Sequence, residues 1–259
     1  MSMLPITNPI STPIGPGSIR VFAGYRLPAL SREDFFRELG QTFMPGTPCM
    51  LAPLGLAAYL PVVLDPEAGS GLPDEAALIV YASLDAYTAA RRNSLEGRMY
   101  THSHAGVFDM ATSRGQWPGA PAAPDRQAGS ERWSWYAFDR AVDWQQGSTR
   151  VLCLRAAPGR AGLQPDLHAL SAQHLIHLTD AGADQAIFLA APGYAVIWIH
   201  GPTPESTQVA PEYFLPDGTG LMRDLVAKPV PMPTRSEGVE VTGPGAYSFR
   251  FVRELRHFL

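Results

Sequence analysis

Four residues in the segment YTHSHAGVFDM, positions 100–110, could carry acid–base chemistry. Tyr100, His102 and His104 occupy alternate positions, and Asp109 follows five residues after the second histidine. Imidazole is the side chain whose pKa lies nearest neutral pH, so it serves as a general base when a polar neighbour orients it. We therefore take His102 or His104 as the candidate base, Tyr100 as its hydrogen-bonding partner and Asp109 as an orienting group.

The alternation of these residues predicts a strand over 98–108. Alternate side chains of a strand share a face, so the tyrosine and both histidines would point one way, with the imidazoles roughly 6.5–7 Å apart at Cβ. Two histidines could also bind a metal, but a site needs three or more ligands. Asp109 would lie on the other face, which leaves His200 as a further ligand. Acid–base, metal-binding and purely structural roles stay open here, and we predict no metal.

A second group of histidines lies in HALSAQHLIHL, within a helix predicted over 163–182. His174 falls on the apolar face of that helix and His177 at its edge. A histidine at the centre of such a face is typical of a buried group with a backbone partner, and substrate binding is the alternative. Arg91, Arg92 and Arg98 cluster after another predicted helix, where they could cap its carbonyl groups or pair with a substrate carboxylate or enolate.

The first half of the chain predicts the element order β-α-β-β-α-β. Ser31 with Asp34 three residues later is typical of a helix start, and the prolines of MPGTPCM predict where that helix ends. Pro61 restricts its strand to an edge or a bulge. The strands are predicted at 18–27, 54–65, 75–83 and 98–108, and the helices at 30–43 and 83–93.

The second half predicts the same order. A strand at 149–157 precedes the helix at 163–182, and a PGY turn joins two further strands into a hairpin. A short helix within 210–228 and a strand at 245–255 complete the pattern. Positions 132–144 fit a strand and a helix equally well. The predicted division is an extended arm at 1–17, a first repeat at 18–110, a linker or excursion at 111–148, and a second repeat at 149–259.

A β-α-β-β-α-β unit is a ferredoxin-like split βαβ fold. Two such units resemble the dimeric α+β barrel superfamily, here fused in one chain, and the segment IVYASLDAYTAARR is similar to its third strand and second helix. The resemblance implies an α+β fold whose two repeats form an intramolecular barrel. The superfamily includes cofactor-free monooxygenases, isomerases and lyases of small cyclic molecules, and the resemblance implies one of these activities. It also includes haem enzymes, and in that case His174 or His177 would be the axial ligand.

Composition restricts the function further. The chain has 259 residues, a net charge of −4 and 46% apolar residues, which indicates a folded core and argues against a nucleic-acid surface. Its two cysteines form no CxxC pair, and no apolar run is long enough to span a membrane. We expect a cytoplasmic, bacterial protein whose partner is a small molecule, with no nucleic acid or membrane; association with further copies of the chain is left open.

The function that these observations predict is histidine-assisted proton transfer on a small, largely apolar cyclic or polyketide-like molecule. This would be a cyclase, isomerase or lyase step in secondary metabolism, without an organic cofactor. The alternatives are a cofactor-independent monooxygenase, a haem enzyme, and a non-catalytic ligand-binding protein of the same fold. No nucleotide-binding or nucleophile-elbow motif is present in the sequence.

Overall fold

The computed structural model describes residues 13–64, 66–67, 71–127, 131–160 and 162–232. These residues form a mixed α+β structure with two antiparallel sheets, one of four strands and one of six. Helices cover the outer face of each sheet, and an apolar layer lies between the inner faces. The predicted α+β class is therefore confirmed.

The first sheet contains the strands β1 Ile19–Gly24, β2 Leu56–Val63, β3 Glu75–Tyr81 and β4 Arg114–Gln116. Their order across the sheet is β2-β3-β1-β4. Every residue of β3 is buried, as expected for a central strand covered on both faces. Pro61 lies in β2 at the sheet edge, the position to which its missing N–H group restricts it.

The second sheet contains the strands β5 Asp125–Gln127, β6 Arg132–Tyr136, β7 Ser148–Ala156, β8 Gln185–Ala191, β9 Tyr194–Gly201 and β10 Thr219–Ala227. Their order across the sheet is β10-β7-β9-β8-β6-β5. The predicted hairpin is present as β8 and β9, and β7 lies beside β9 just as β1 lies beside β3. Residues 132–144 fit a strand and a helix equally well by sequence, and their first part forms the strand β6.

Four α-helices cover the first sheet: α1 Arg32–Glu38, α2 Met44–Leu51, α3 Leu84–Asn93 and α4 Leu95–Val107. Ser31 caps α1, as predicted, by accepting a hydrogen bond from the Asp34 N–H group at 3.0 Å. A π-helical turn at 39–43 joins α1 to α2. The predicted stop at MPGTPCM is wrong, because Pro45 falls in the first turn of α2, where a helix needs no N–H donor, and the helix continues through Pro48 to Leu51.

Two helices cover the second sheet, where the sequence predicts one. They are α5 Leu163–Ala169 and α6 Ser171–Ala181, separated at Leu170, whose ψ of 3° interrupts the helix. Gly182 ends α6 with a φ of 81°, a left-handed conformation that glycine adopts without a steric penalty. Short 3-10 helices are formed by Pro16–Ser18, Ala52–Leu54, Glu205–Thr207 and Pro211–Phe214.

The strand predicted at 98–108 is wrong, because residues 98–107 belong to α4 and Phe108 caps its C-terminal end. The Ser94 hydroxyl caps this helix by accepting from the Gly97 N–H group at 2.8 Å. Leu, Glu, Arg, Met and Ala in the helix favour helical backbone over strand. The fourth strand of the first sheet is instead β4, which lies inside the segment 111–148 predicted as a linker. The domain boundaries stay a prediction.

The termini are described in part. The predicted strand at 245–255 and residues 1–12 of the predicted arm lie outside the described residues. Ile14 belongs to the predicted arm but is buried between the sheets, and its N–H group donates to the Val142 carbonyl at 2.9 Å. This part of the predicted arm belongs to the core, because the apolar side chain of Ile14 completes the layer between the sheets.

Three apolar layers follow from the alternation of side chains along the strands. The inner layer lies between the sheets and includes Ile19, Val21, Leu78, Val80, Val151, Cys153, Val196 and Trp198. The first outer layer lies between the first sheet and its helices and includes Phe22, Phe35, Phe43, Tyr59, Ala77, Ile79, Tyr81 and Phe108. The second outer layer lies between the second sheet and its helices and includes Leu163, Leu167, Leu178, Phe188, Ile197 and Phe214.

Candidate functional site

The helix α4 separates the two histidines that the strand prediction placed together. A helix turns about 100° per residue, so residues two apart point to nearly opposite sides. His104 faces the first outer layer, whereas His102 is exposed on the outside of the helix. The shared histidine face predicted for Tyr100, His102 and His104 is therefore wrong, and among these three residues only Tyr100 and His104 come together.

His104 lies among aromatic rings. Its ring contacts Phe43 at 4.9 Å and Tyr100 at 4.5 Å between centroids, both edge-on. Its Nδ1 atom lies 2.7 Å from the Tyr100 carbonyl one turn earlier, so it carries the proton that this carbonyl accepts. Burial lowers the pKa of His104 to about 4, and the imidazole is neutral at pH 7. A base with this pKa is far weaker than the prediction requires.

Asp109 does not orient either histidine. Its carboxylate accepts hydrogen bonds from the Ala111 N–H group at 2.9 Å and the Thr112 hydroxyl at 3.0 Å. These bonds close a turn directly after α4, a common role for aspartate. The structure therefore does not bring the Asp109 carboxylate to either histidine, because both of its oxygens accept hydrogen bonds within the turn.

A buried carboxyl group that sequence analysis missed lies in the same layer. Glu75 begins β3 and its side chain points to the helices, where it is 0% exposed. Its Oε1 atom accepts a hydrogen bond from the Tyr59 hydroxyl at 2.8 Å. Its Oε2 atom is buried and has no hydrogen-bond partner within the part of the chain that the structure describes. Burial raises the pKa of Glu75 from 4.5 to about 7, a shift that the Tyr59 hydrogen bond opposes.

The hydroxyl groups around Glu75 form one polar row. The Tyr100 hydroxyl lies 3.1 Å from that of Thr47, which donates to the Phe43 carbonyl at 2.8 Å. Tyr100 therefore donates to Thr47, whose own proton is already used. Burial raises the pKa of both Tyr59 and Tyr100 well above the ordinary value, so both phenols keep their protons. Hydroxyl donors and one carboxyl group thus lie together beneath α2 and α4.

A signal for Glu75 exists in the sequence. The continuous apolar run in EAALIVYAS indicates a buried strand. A charged residue in such a strand is rare unless it has a partner or a function. Tyr59 and Thr47 are 16 and 28 residues away along the chain, so the sequence does not show that they meet Glu75. Their meeting depends on the pairing of β2 with β3 and on the packing of α2.

Two arginines converge on one tyrosine at the other end of this layer. The Tyr87 hydroxyl of α3 accepts hydrogen bonds from Nη1 of Arg20 in β1 and from Nη1 of Arg91 in α3. Arg20 also donates from Nη2 to the Gly115 carbonyl at 3.1 Å, and its Nε atom is buried without a partner. A Cβ at Gly115 would lie 2.5 Å from that Nε, which explains the glycine. Trp117 packs edge-on against Tyr87 at 5.0 Å.

The histidines of α6 do not fit haem. His174 is 1% exposed between Phe188 and Phe214, and neither of its buried ring nitrogens has a hydrogen-bond partner among the described residues. Burial lowers its pKa to about 4, against a smaller opposing effect of the Tyr213 backbone. An iron atom could reach a ring nitrogen only if the aromatic packing were displaced.

His177 lines a cavity of about 510 Å³ on the outside of the second sheet, and its ring stacks on Tyr213 at 3.6 Å. Asp166, Glu212 and Asp217 also line this cavity, together with Arg160, which forms an ion pair with Asp166. The other two carboxylates would repel the propionates of haem, and the stacked imidazole lies flat on its neighbour. We derive no step through haem, and the expected lack of a cofactor stays a prediction.

His200 does not join the other histidines. It ends β9 in the second sheet, where its Nδ1 atom lies 3.1 Å from the Thr149 hydroxyl. Within the described residues, no group of three or more His, Cys, Asp or Glu side chains is arranged to hold a metal ion. The third metal ligand that His200 could have supplied is therefore not brought to His102 or His104.

None of the helices among the described residues has both the length and the apolar character needed to cross a bilayer.

No protein-family model matches the chain, and no curated protein is significantly similar in sequence. Among solved structures, the chain is similar to a candidate monooxygenase of Lactobacillus acidophilus, with 8% identity over 82% of this chain and 93% of that one, at a TM-score of 0.40. It is similar to another from Fusobacterium nucleatum, with 8% identity over 82% and 90% of the chains, at a TM-score of 0.42. An anthrone oxidase-like protein matches with 8% identity over 87% and 95%, at a TM-score of 0.36.

Proposed function

We propose that this chain is a cofactor-independent monooxygenase that deprotonates a small, largely apolar ring compound in the first outer layer and lets the resulting anion react with dioxygen. The observation that carries the proposal is Glu75, a fully buried carboxyl group with one unpartnered oxygen and a pKa near 7. A general base works best when its pKa lies near the working pH, because it is then both available and strong enough. His104, with its lower pKa, is not that base.

The surroundings of Glu75 suit an aromatic substrate. Phe108 contacts Phe22 at 5.3 Å and Phe43 at 5.2 Å between ring centroids, both edge-on, in this layer. Aromatic edges and faces favour planar apolar molecules. The helix-facing residue of β3 beside Glu75 is Ala77, which is 1% exposed in the packed layer beneath the helices. A ring compound that displaced the packing over Ala77 would bring its acidic C–H group to Glu75.

The chemistry needs a substrate with an activated methylene group, such as one between two aryl rings and conjugated to a carbonyl. Glu75 Oε2 takes a proton from the methylene, and the carbanion electrons form a C–O bond to dioxygen. Glu75 returns the proton to the outer oxygen, which gives a hydroperoxide. Loss of water then breaks the O–O bond and forms a carbonyl group. In total, one methylene group and one dioxygen molecule give one ketone carbonyl and one water molecule, so carbon is oxidised and dioxygen is fully reduced.

The same proton transfer without dioxygen would be the isomerase, cyclase or lyase step that the sequence predicts. Oxygenation is our choice because the apolar layer gives the anion no solvent proton donor, so it persists long enough to react with dioxygen. The hydroxyl donors nearest to Glu75, on Tyr59 and Tyr100, are engaged with Glu75 and Thr47. They position the carboxyl group and do not quench the anion.

We further propose that the two sheets are two ferredoxin-like repeats facing each other as an intramolecular dimeric α+β barrel. Support comes from the strand order, because β2-β3-β1-β4 in the first sheet and β8-β9-β7-β10 in the second, read from its other edge, both follow the order second, third, first and fourth strand. The inner layer is shared by both sheets, and the helices lie outside. A crystal structure that shows no pseudo-two-fold relation between these eight strands would overturn this proposal.

The test uses anthrone, a tricyclic ketone with an acidic methylene group, as the probe. Dioxygen uptake and product formation are measured with the full chain, against a control without enzyme. We expect one dioxygen consumed per ketone oxidised and no dioxygen returned when catalase is added, since the second oxygen atom leaves as water. Uptake no faster than the control would overturn the monooxygenase proposal. Deuterium exchange at the methylene without dioxygen uptake would instead support the proton-transfer enzyme.

A further inference from the structure

The group formed by Arg20, Tyr87 and Arg91 has more hydrogen-bond donors than acceptors. Two guanidinium groups donate to the lone pairs of the Tyr87 hydroxyl, so its own proton must point to another acceptor. Among the described residues, none accepts that proton. Arg20 Nε is also a buried donor without a partner. An acceptor from outside the chain would satisfy this group.

The same group carries uncompensated positive charge. Neither arginine forms an ion pair with a carboxylate within the described parts of the chain, although Arg20 is half-buried. A buried charge is costly unless it is paired, and guanidinium groups bind planar oxyanions by matched hydrogen bonds. The aromatic rings of Tyr81 and Trp117 pack edge-on against Tyr87, at 5.0 Å each. The missing partner is therefore an anion attached to an apolar, aromatic body.

We propose that Arg20, Tyr87 and Arg91 bind the carboxylate group of an aromatic acid whose ring system extends along the first sheet to Glu75. The placement of the other end of this acid at Glu75 rests on the proposed function, because Glu75 is the group at which the chemistry would occur. It adds a substrate class: a fused-ring aromatic carboxylate rather than a neutral ring compound.

The register of the sheet gives the length of such a molecule. Arg20 pairs with Ile79 and Gly24 pairs with Glu75, so the two ends are four residues apart on one face of the β1–β3 pair. At about 3.3 Å per residue this separation is about 13 Å. Phe22, Ala77 and Ile79 lie buried on this face between the two ends, so a fused-ring acid of this length would take the place of their contacts with the helices. A carboxylate at one end would also fix which ring carbon meets Glu75, so this group would determine regiochemistry.

The test is a binding measurement that does not depend on turnover. Anthracene-2-carboxylate and its neutral isostere anthracene-2-carboxamide are titrated into the full-length protein, and binding is followed by anthracene fluorescence. We expect the carboxylate to bind about 10- to 100-fold more tightly than the amide, the range for a charge-assisted hydrogen bond. This preference should decrease as sodium chloride is raised, because salt screens the exposed Arg91.

Arg91→Gln is the decisive variant, since Arg91 is exposed on α3 and its replacement leaves the core intact. It should remove most of the preference for the carboxylate, and Tyr87→Phe should reduce it. Arg98→Gln, an exposed arginine on α4, is the matched control and should keep the preference. Equal binding of the two probes, no binding of either, or a preference that survives in Arg91→Gln would overturn the proposal.

The outcomes separate this proposal from the monooxygenase proposal. A carboxylate preference without dioxygen uptake in the presence of anthrone would support the anion site and contradict the oxygenation. Dioxygen uptake with anthrone but without any carboxylate preference would support the oxygenation and contradict the anion site. The two measurements use different probes and different readouts, so neither result can stand in for the other.

Discussion

The two outer layers are built from similar elements but differ in the titratable group that each one buries. The first outer layer contains Glu75, whose pKa burial raises to about 7 and whose Oε2 atom has no partner. The second outer layer contains His174, whose pKa burial lowers to about 4 and whose ring packs between Phe188 and Phe214. At pH 7 the carboxyl group can exchange a proton, whereas the imidazole stays neutral.

This difference shows that burial alone does not make a catalytic group. Desolvation disfavours the charged form of both side chains, but it moves a carboxyl pKa toward neutral pH and an imidazole pKa away from it. We infer that the first outer layer carries the chemistry and that the second mainly stabilises the fold. Substitutions in the two layers should therefore affect different observables.

The largest expected effect comes from Glu75→Gln. The amide keeps the size of the side chain and can still accept from Tyr59, but it cannot take a proton. We expect turnover of anthrone per folded molecule to fall about 100- to 10,000-fold, as for loss of a general base. His174→Leu is the control from the second outer layer and should keep turnover within about two-fold. Normal turnover of Glu75→Gln would show that another group is the base.

Phe188→Ala should have the opposite profile. Phe188 is 1% exposed and stacks on Trp135 at 4.8 Å, so its truncation leaves a cavity in the second outer layer. We expect the free energy of unfolding to fall by about 3–5 kcal/mol, measured by urea denaturation. Turnover per folded molecule should stay unchanged. A loss of turnover in the still-folded fraction would mean that the second layer takes part in the reaction.

The pH dependence of stability should distinguish the two layers as well. Between pH 4.5 and about 7, Glu75 keeps its proton in the folded state but loses it in the unfolded state. The contribution of Glu75 to the free energy of unfolding is therefore fully present below pH 4.5 and is lost as the pH rises to about 7. His104 and His174 act in the opposite direction, because their lowered pKa values give stability above pH 6.5 that is lost as the pH falls toward 4.

Glu75→Gln removes only the first of these contributions. The free energy of unfolding of the unsubstituted protein minus that of Glu75→Gln should decrease by about 3 kcal/mol between pH 4.5 and 7.5, because the pKa of Glu75 moves from 4.5 to about 7 on folding. Urea denaturation at several pH values measures this difference. A difference that stays constant with pH would mean that Glu75 titrates normally in the folded protein.

The smallest effect is expected at His102, the exposed histidine of α4. His102→Gln should change the free energy of unfolding by less than about 0.5 kcal/mol and leave turnover unchanged. His104→Gln should cost about 1–3 kcal/mol, because Nδ1 would lose its bond to the Tyr100 carbonyl. Comparable losses of turnover in both variants would restore the acid–base interpretation of this segment.

The strands and the α+β class could be predicted from sequence because they depend on local patterns. The buried run EAALIVYAS and the hairpin at β8 and β9 are present in the structure as expected. The histidine segment failed because alternation of two side-chain types occurs by chance, and the Ser94 cap that starts α4 outweighs it. The short strand β4 carries too few residues for a pattern to show.

The candidate site could be predicted only in part. Tyr100 lies in the first outer layer. The sequence predicts that it hydrogen-bonds to His102 or His104, but residues two apart on a helix point to nearly opposite sides, so it does not meet His102. Glu75, Tyr59 and Thr47 meet through strand pairing and helix packing between distant parts of the chain. Sequence alone shows that Glu75 is an acidic residue in an apolar strand, but it does not show what covers it.

The most direct test of the central claim is the pH dependence of kcat/KM for anthrone. If Glu75 is the general base, kcat/KM should rise with pH through an inflection near the pKa of about 7 and level off above it, since the ionised carboxylate is the active form. The inflection should be absent from the residual activity of Glu75→Gln. An inflection near pH 7 that persists in Glu75→Gln, or a flat profile for the unsubstituted protein between about pH 5 and 9, would contradict the account.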